Sequence, residues 1–375
     1  MGPDLKPPLA SIPPDVVAVA DYEALARERM DEAAWAWLQG GAADELSLLA
    51  NRRAFDRLQL LPRVLADMAG AHTRLELFGE AYEHPILLAP VAFQRLAHPE
   101  GELASVQAAS AMQAGMVVST QASVALETLA RSSHSPLWFQ LYIQPDREFT
   151  ATLVRRAEAS GCRALVVTVD APVSGVRNRE QRSGFALPAG VAAVNLQGMR
   201  ALPPQAARAG ESPLLASALV ASAPTWKDVA WLRSLTRLPI LLKGVLAPDD
   251  ARRALDEGIA GVIVSNHGGR ALDTVPASIE ALPAIAQAVG GRMPLLLDGG
   301  IRRGTDIVKA LALGASAVLV GRPFMHGLAA AGALGVVHVL HILRTELEMA
   351  MVLCGRRTLA ELDASLVRAS GQRLV

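Results

Sequence analysis

The chain alternates short apolar runs with amphipathic segments, and this alternation repeats from about residue 85 to the end. The apolar runs are rich in Val, Ile and Leu, and several of the segments between them have helical spacing and end at a glycine. Because the runs are continuously apolar, they predict parallel strands that are buried on both faces of a sheet. The runs lie at residues 86–90, 116–119, 138–142, 164–170, 239–243, 261–265, 294–298 and 317–321.

Eight strands are the number that closes a (β/α)8, or TIM, barrel, so the pattern predicts an α/β protein of this architecture. An open, doubly wound sheet is the alternative. We expect residues 1–375 to form a single domain, with residues 1–84 as an N-terminal helical cap and residues 85–375 as the barrel. Residues 174–225 interrupt the pattern after the fourth strand and are too long for an ordinary connection. They predict a lid loop over the catalytic rim, with an insertion that has no role as the alternative.

Residues 323–343 carry no formal charge and are long enough to span a bilayer. The stretch contains three histidines and several glycines, and it follows a strand and turn pattern. We therefore expect a loop followed by a buried helix, not a membrane span.

Composition narrows the classes of function. The formal net charge is zero and no basic block is present, which argues against a nucleic-acid partner. Cys162 and Cys354 lie far apart and outside any CxxC spacing, so we expect neither a disulfide framework nor a metal site. The N-terminus is rich in proline and lacks the apolar core of a signal peptide. These features predict a cytoplasmic protein without a membrane or nucleic-acid partner.

Polar side chains are placed at or just beyond the ends of the predicted strands. Each one alone is better explained as a turn or capping residue. In a (β/α)8 barrel, however, the carboxyl ends of the strands form the rim on which active sites are built. Their convergence on that rim therefore favours an enzyme. These residues are Gln140, Tyr142, Thr168, Asp170, Lys243, Ser265, His267 and Asp298.

The sequence SNHGGRALD directly follows the strand at residues 261–265 and places His267 three residues before Arg270. A titratable base beside a fixed cation suits chemistry on a substrate with a carboxylate, since the guanidinium binds the anion while the imidazole moves a proton. Taken in isolation, the same motif also fits a surface loop. Its place on the predicted rim favours the catalytic interpretation.

Lys243 is one of four lysines in the chain and ends the apolar run LPILLK. A charge at the end of a buried strand needs an anionic partner or a cavity. A structural salt bridge is one interpretation, and a cation that faces a negatively charged ligand is the other.

Two glycine-rich turns follow the last two predicted strands, DGGIR and GRP. Barrels often bind a phosphate in these loops through backbone N–H groups and a helix N-terminus. Arg302 and Arg322 add bidentate donors to the two turns. Together with Lys243, they predict a phosphate-bearing cofactor across the mouth of the barrel.

Four motifs, SNHGGRALD, LPILLKGV, DGGIRRGTD and ALGASAVLVGRP, closely resemble those of the FMN-dependent α-hydroxy acid oxidases and dehydrogenases. That family includes glycolate oxidase, lactate oxidase, mandelate dehydrogenase, hydroxymandelate oxidase and flavocytochrome b2. The resemblance extends over nearly the whole chain through APVAFQRLAHPEGE, FQLYIQPDR and TVDAP. It implies oxidation of (S)-2-hydroxy acids to 2-oxo acids with FMN as the cofactor.

The resemblance also implies roles for single residues. His267 is the expected active-site base, and Asp170 is expected to orient it. Arg270 and Arg177 are expected to bind the substrate carboxylate, with Arg177 coming from the lid. The implied contact of Tyr142 is the substrate hydroxyl, and that of Lys243 is the N1/O2 edge of the flavin. The other implied FMN contacts are Ala92, Ser119, Gln140, Thr168, Ser265, Asp298, Gly300, Arg302, Gly321 and Arg322.

Three positions depart from the family pattern. Trp37, a substrate-binding position, stands where glycolate- and lactate-oxidising members usually have a tyrosine. Val91 stands where some members have a threonine, and Gln144 replaces a second tyrosine. Loss of two tyrosines and gain of an indole predict a bulkier apolar or aromatic substrate such as mandelate.

The prediction of the electron acceptor depends on Ala92, because dehydrogenase members often carry glycine at this position. We expect oxygen as the acceptor, giving H2O2, with a dehydrogenase that uses a quinone or a protein carrier as the alternative. A homo-oligomer, either a tetramer or an octamer, is implied by the relatives. Two alternative functions are a flavin-binding protein with little turnover and a barrel enzyme of nucleotide metabolism. The second would need a nucleophilic cysteine on a rim loop.

Overall fold

The computed structural model describes residues 4–200 and 210–370. Its centre is a closed barrel of eight parallel strands, and the order of the strands around the barrel is their order along the chain. The predicted (β/α)8 barrel is confirmed, and the open sheet is excluded. The barrel strands are β4 (Ile86–Leu88), β5 (Gly115–Val118), β6 (Leu137–Leu141), β7 (Leu165–Thr168), β8 (Ile240–Val245), β9 (Gly261–Val264), β10 (Leu295–Asp298) and β11 (Ala317–Val320).

The barrel strands are apolar on both faces because each face meets a different core. Alternate side chains point inward and fill the barrel, while the others pack beneath the surrounding helices. Period-two patterning is therefore absent from the sequence. The inward set includes Leu87, Val117, Trp138, Val166, Leu241, Ile263, Leu296 and Leu319.

Helices surround the barrel and connect its strands. Two short helices lie within the described part of the lid that follows β7, and the lid also includes residues 201–209, which fall outside the described residues. The helices from β4 onward are α4 (Glu102–Ala111), α5 (Leu126–Ser132), α6 (Arg147–Ala159), α7 (Asn178–Arg182), α8 (Ala218–Ala221), α9 (Trp226–Leu235), α10 (Pro248–Asp256), α11 (Ser278–Val289), α12 (Gly304–Ala312) and α13 (Arg322–Leu353).

The N-terminal segment contains strands as well as helices, which corrects the expectation of helices alone. Its elements are α1 (Asp21–Arg27), α2 (Glu32–Gln39), α3 (Leu46–Asp56), β1 (Leu58–Leu60), β2 (Leu75–Leu77) and β3 (Glu80–Tyr82). The turn between β2 and β3 has positive φ at Phe78 and Gly79, as a tight hairpin requires. β1 pairs with β12 (Val367–Ala369) near the other end of the chain. β1, β2 and β3 mix polar with apolar residues over three positions, so they lack the continuous apolar run that marks β4.

The uncharged stretch at residues 323–343 lies within α13, so the expected loop before the helix is wrong. The helix begins at Arg322, and Pro323 occupies its first turn, where a missing N–H costs nothing. Non-helical backbone at Ala331 and Gly332 breaks it. Length and composition would let α13 cross a membrane, but 72% of its most apolar window is buried in this fold. It is the core helix that packs on α1, α4 and α12.

Candidate active site

A cavity of about 790 Å3 opens at the carboxyl ends of the barrel strands, between the rim, the end of α2 and the lid. Most of the residues singled out in the sequence line it. This is the convergence expected on the catalytic rim. The lining residues from that set are Trp37, Val91, Ala92, Ser119, Tyr142, Gln144, Thr168, Arg177, Lys243, His267, Arg270, Asp298, Gly300, Arg302, Gly321 and Arg322.

His267 and Asp170 form a pair, with Nδ1 of the imidazole 2.9 Å from Oδ1 of the carboxylate. The backbone N–H of His267 donates to Ser265 Oγ at 3.0 Å, and its φ is +59°, a left-handed value that few non-glycine residues adopt. Burial raises the pKa of Asp170, but the charge and hydrogen bond of His267 and the charge of Lys243 outweigh it and lower that pKa. The carboxylate is therefore ionised and holds the imidazole in one orientation.

Lys243 forms the salt bridge of the first interpretation, and it lines the cavity in which the second would place a ligand. Its Nζ lies 2.9 Å from Asp298 Oδ2 and donates to Ser265 Oγ at 3.0 Å, so the lysine has an anionic partner and still lines the cavity. Burial lowers the pKa of Lys243, but the charges of Asp298 and Asp170 outweigh it and raise that pKa. The other carboxylate oxygen of Asp298 is buried and has no hydrogen-bond partner among the described residues.

Gln140 and Ser265 lie one layer behind the cavity wall. Gln140 donates through Nε2 to Thr168 Oγ1 at 3.0 Å and accepts from Ser119 Oγ at 3.3 Å. Ser265 is fully buried between Lys243 and the backbone of His267. Both orient side chains that face the cavity, and their predicted direct bonds to FMN stay predictions.

Arg270 is held against the end of α2. Its Nη1 donates to the carbonyl oxygens of Trp37 and Gly40, each at 2.6 Å, and its guanidinium lies 5.3 Å from the centre of the Trp37 indole. These carbonyls carry the negative end of the helix dipole and lack partners within the helix. Burial lowers the pKa of Arg270, and Arg177 lowers it further. A carboxylate placed between the two guanidinium groups would relieve that repulsion.

Three aromatic rings form one wall of the cavity. Trp37 stacks on Phe185 of the lid with centroids 5.8 Å apart, and it meets Phe93 at 6.1 Å.

Tyr142 lines another part of the cavity. Burial raises the pKa of its hydroxyl, so this group stays protonated. Phe93, Phe185 and Glu180 were missed in the sequence. Glu180 had a usable signal, since opposite charges three residues apart, as in Arg177 and Glu180, often form a local ion pair.

The two glycine-rich turns place Arg302 and Arg322 in the lining of the cavity. Within residues 4–200 and 210–370 neither guanidinium forms an ion pair, and Arg322 donates to the carbonyl oxygens of Leu38, Gly268 and Gly40. Burial lowers the pKa of Arg322, and the charges of Arg270 and Arg302 lower it further. Two clustered cations beside the N-terminus of α13 favour an anion.

These residues fit FMN. Arg302, Arg322 and the backbone of Gly321 would hold its phosphate, and the unpartnered oxygen of Asp298 would accept from a ribityl hydroxyl. Lys243 would face the flavin ring.

Comparison with known proteins agrees with this geometry. The model of the FMN-dependent dehydrogenase family matches residues 26–369. L-lactate oxidase of Alicycliphilus denitrificans is 48% identical over 355 residues, which cover 95% of this chain and 97% of that protein. Glycolate oxidase of Spinacia oleracea is 43% identical, with 95% and 96% covered.

The fold agrees as well. A crystal structure of mandelate oxidase with (S)-2-phenylpropionate superposes with a TM-score of 0.84 at 44% identity, covering 92% of this chain and 96% of that one. The family expected from the sequence motifs is confirmed, as is FMN as the cofactor. The chain therefore belongs to the FMN-dependent dehydrogenase family, as an FMN-dependent oxidoreductase similar to oxidases of 2-hydroxy acids.

Proposed function

We propose that this enzyme oxidises an (S)-2-hydroxy acid with an aromatic or bulky apolar side chain, such as mandelate, to the 2-oxo acid. Oxygen takes up the two electrons and two protons and gives H2O2. The observation that carries the substrate preference is the stack of Trp37 on Phe185 beside Arg270. An aromatic wall next to a carboxylate-binding cation suits a ring attached close to the acid group.

Each residue of the site has a role that follows from its charge and position. Arg177 and Arg270 bind the substrate carboxylate, and Tyr142 contacts its hydroxyl. Because Nδ1 of His267 faces Asp170, that nitrogen carries the proton and Nε2 is the acceptor for a proton from the substrate. Asp170 then stabilises the imidazolium. Bound FMN supplies a two-electron acceptor beside Lys243.

Oxygen as the acceptor is supported by Ala92 and by the oxidase names of the relatives. A homo-oligomer, either a tetramer or an octamer, is part of the proposal. So is a cytoplasmic location, which is supported by two buried free cysteines, Cys162 and Cys354.

The test is an anaerobic titration of the purified holoenzyme with mandelate, L-lactate and glycolate, followed by exposure to air. We expect mandelate to bleach the flavin absorbance at the lowest concentration and to give the highest kcat/KM, and air to restore the absorbance with release of H2O2. A higher kcat/KM for lactate or glycolate would overturn the aromatic preference. Bleaching that air does not reverse would favour a dehydrogenase with another acceptor.

A further inference from the structure

We propose that Glu180 competes with the carboxylate of the substrate and of the product for Arg177, and thereby sets how fast the 2-oxo acid leaves. The inference rests on the proposed function, because it takes Arg177 as a binder of the substrate carboxylate. It makes Glu180 a competitor whose negative charge weakens the binding of anions at Arg177.

The ion pair lies inside the cavity. Glu180 belongs to the short helix α7, and Arg177 is the residue that precedes this helix. Glu180 Oε2 is 3.3 Å from Arg177 Nη1, and both side chains line the cavity. Arg177 Nε is buried without a hydrogen-bond partner among the described residues. Nη1 is the one nitrogen of this guanidinium bonded to another of the described residues, Glu180, so Nη2 is left to donate to a ligand.

The other charges near the expected substrate position are already paired, so the charge of Glu180 has a direct effect on the two arginines. Lys243 is neutralised by Asp298 at 2.9 Å, and Asp170 pairs with His267. Arg177 and Arg270 repel each other, and Glu180 opposes that repulsion. Glu180 thus pairs with Arg177 and also acts on Arg270, as Glu45 does.

A 2-hydroxy acid brings a second anion to the same two cations. Its carboxylate is attracted by the arginines and repelled by Glu180, and the 2-oxo acid product meets the same opposition. Glu180 therefore lowers the affinity for substrate and product alike. Such uniform binding changes KM and release but not the chemical step.

The variant that removes the charge and keeps the shape is Glu180→Gln. We expect it to bind the 2-oxo acid about tenfold more tightly, the size of a moderate electrostatic effect in a partly buried site. The KM for the hydroxy acid should fall, and kcat should fall with it where product release is limiting. Glu180→Asp keeps the charge and should keep the affinity of the unaltered protein.

The matched control is Asp249→Asn. Asp249 forms an ion pair with Arg252 at the same three-residue separation, 2.7 Å apart, but lies outside the cavity lining. This variant should leave ligand affinity unchanged. The neutral amide of mandelate is the matched ligand, and its affinity should be the same in all variants because it lacks the carboxylate.

The measurement is isothermal titration calorimetry of the holoenzyme with benzoylformate, pyruvate and glyoxylate. The 2-oxo acid that binds the unaltered protein most tightly tests the proposed substrate preference, and the change caused by Glu180→Gln with that same acid tests this inference. Equal or weaker binding by Glu180→Gln would overturn the competition and show that Glu180 serves to position Arg177. If none of the three acids binds the unaltered protein, the proposed function and the inference fall together.

Discussion

Trp37 and Phe185 stack with ring centroids 5.8 Å apart and an angle of 24° between their planes. Trp37 belongs to α2 of the N-terminal cap, and Phe185 is the one aromatic residue in the sequence of the lid, residues 174–225. The guanidinium of Arg270 lies 5.3 Å from the same indole. The lid, the cap and the proposed carboxylate site therefore meet at one side chain.

Trp37→Tyr should shift the substrate preference. A smaller ring with a hydroxyl stacks less well on Phe185 and reduces the apolar wall, so we expect kcat/KM for mandelate to fall about tenfold relative to glycolate. The measurement is the ratio of the two kcat/KM values. Trp35→Tyr is the control, since Trp35 packs on His326 and lies outside the cavity lining. An unchanged ratio in Trp37→Tyr would remove this residue from the specificity site.

His267→Ala should retain FMN and lose turnover. Removal of a general base costs about 10²- to 10⁴-fold, whereas the proposed phosphate site is untouched. Stopped-flow measurement of flavin reduction gives the rate, and the absorbance of the purified protein gives the bound FMN. His134→Ala, at an exposed position, is the control. Reduction at the rate of the unaltered protein would show that another group takes the proton.

Gly244→Ala should impair catalysis by His267, because it displaces Asp170. Gly244 lies at an irregularity in β8 with φ of +106°, and an added Cβ would overlap the carboxyl group of Asp170. The carboxylate must move, so we expect a loss of about tenfold or more in kcat and a shifted pH profile, as for other misplaced catalytic groups.

Gly290→Ala separates that effect from backbone strain. Gly290 has φ of +58° with no atom within 4 Å of an added Cβ. It should lose about 1 kcal/mol of stability and keep its pH profile. Equal pH profiles for both variants would refute the positioning role of Gly244.

Asp170 should contribute to stability in a pH-dependent way. Its pKa in the folded protein is lowered, so its contribution is complete above the unfolded value of about 3.9 and is lost as pH falls through the folded value. The free energy of unfolding of the unaltered protein minus that of Asp170→Asn should therefore shrink on acidification from about pH 6 to pH 3. Denaturant titrations at several pH values measure it. A difference that stays constant with pH would contradict the lowered pKa.

The barrel was predictable because each of its strands is a buried run whose pattern is local. The same holds for the rim, since position at a strand end follows from the strand itself, as for Lys243 and His267. The hairpin from Leu75 to Tyr82 was not predictable, because its two strands mix polar with apolar residues over three positions and form no continuous apolar run. The start of α13 at Arg322 was also hidden, since Gly321 and Pro323 suit a turn as well as a helix N-terminus.

Contacts between distant segments could not be predicted from the sequence. The pairing of Lys243 with Asp298 depends on the neighbouring positions of β8, β9 and β10 around a closed barrel. The stack of Phe185 on Trp37 joins residues that lie 148 positions apart along the chain (185 − 37). Neither partner carries a local signal that names the other.

The carbonyl oxygen of Gly40 accepts from Arg270 at 2.6 Å and from Arg322 at 3.0 Å. One oxygen at the end of the cap thus anchors the arginine that is proposed to bind the organic acid and the arginine that is proposed to bind the phosphate. A deletion of α2 and Gly40 would leave the sequence of the barrel unchanged. It would nevertheless remove this shared acceptor from both guanidinium groups at once. The end of α2 and Gly40 are for this reason structural components of two proposed binding sites, and they do more than cover the barrel.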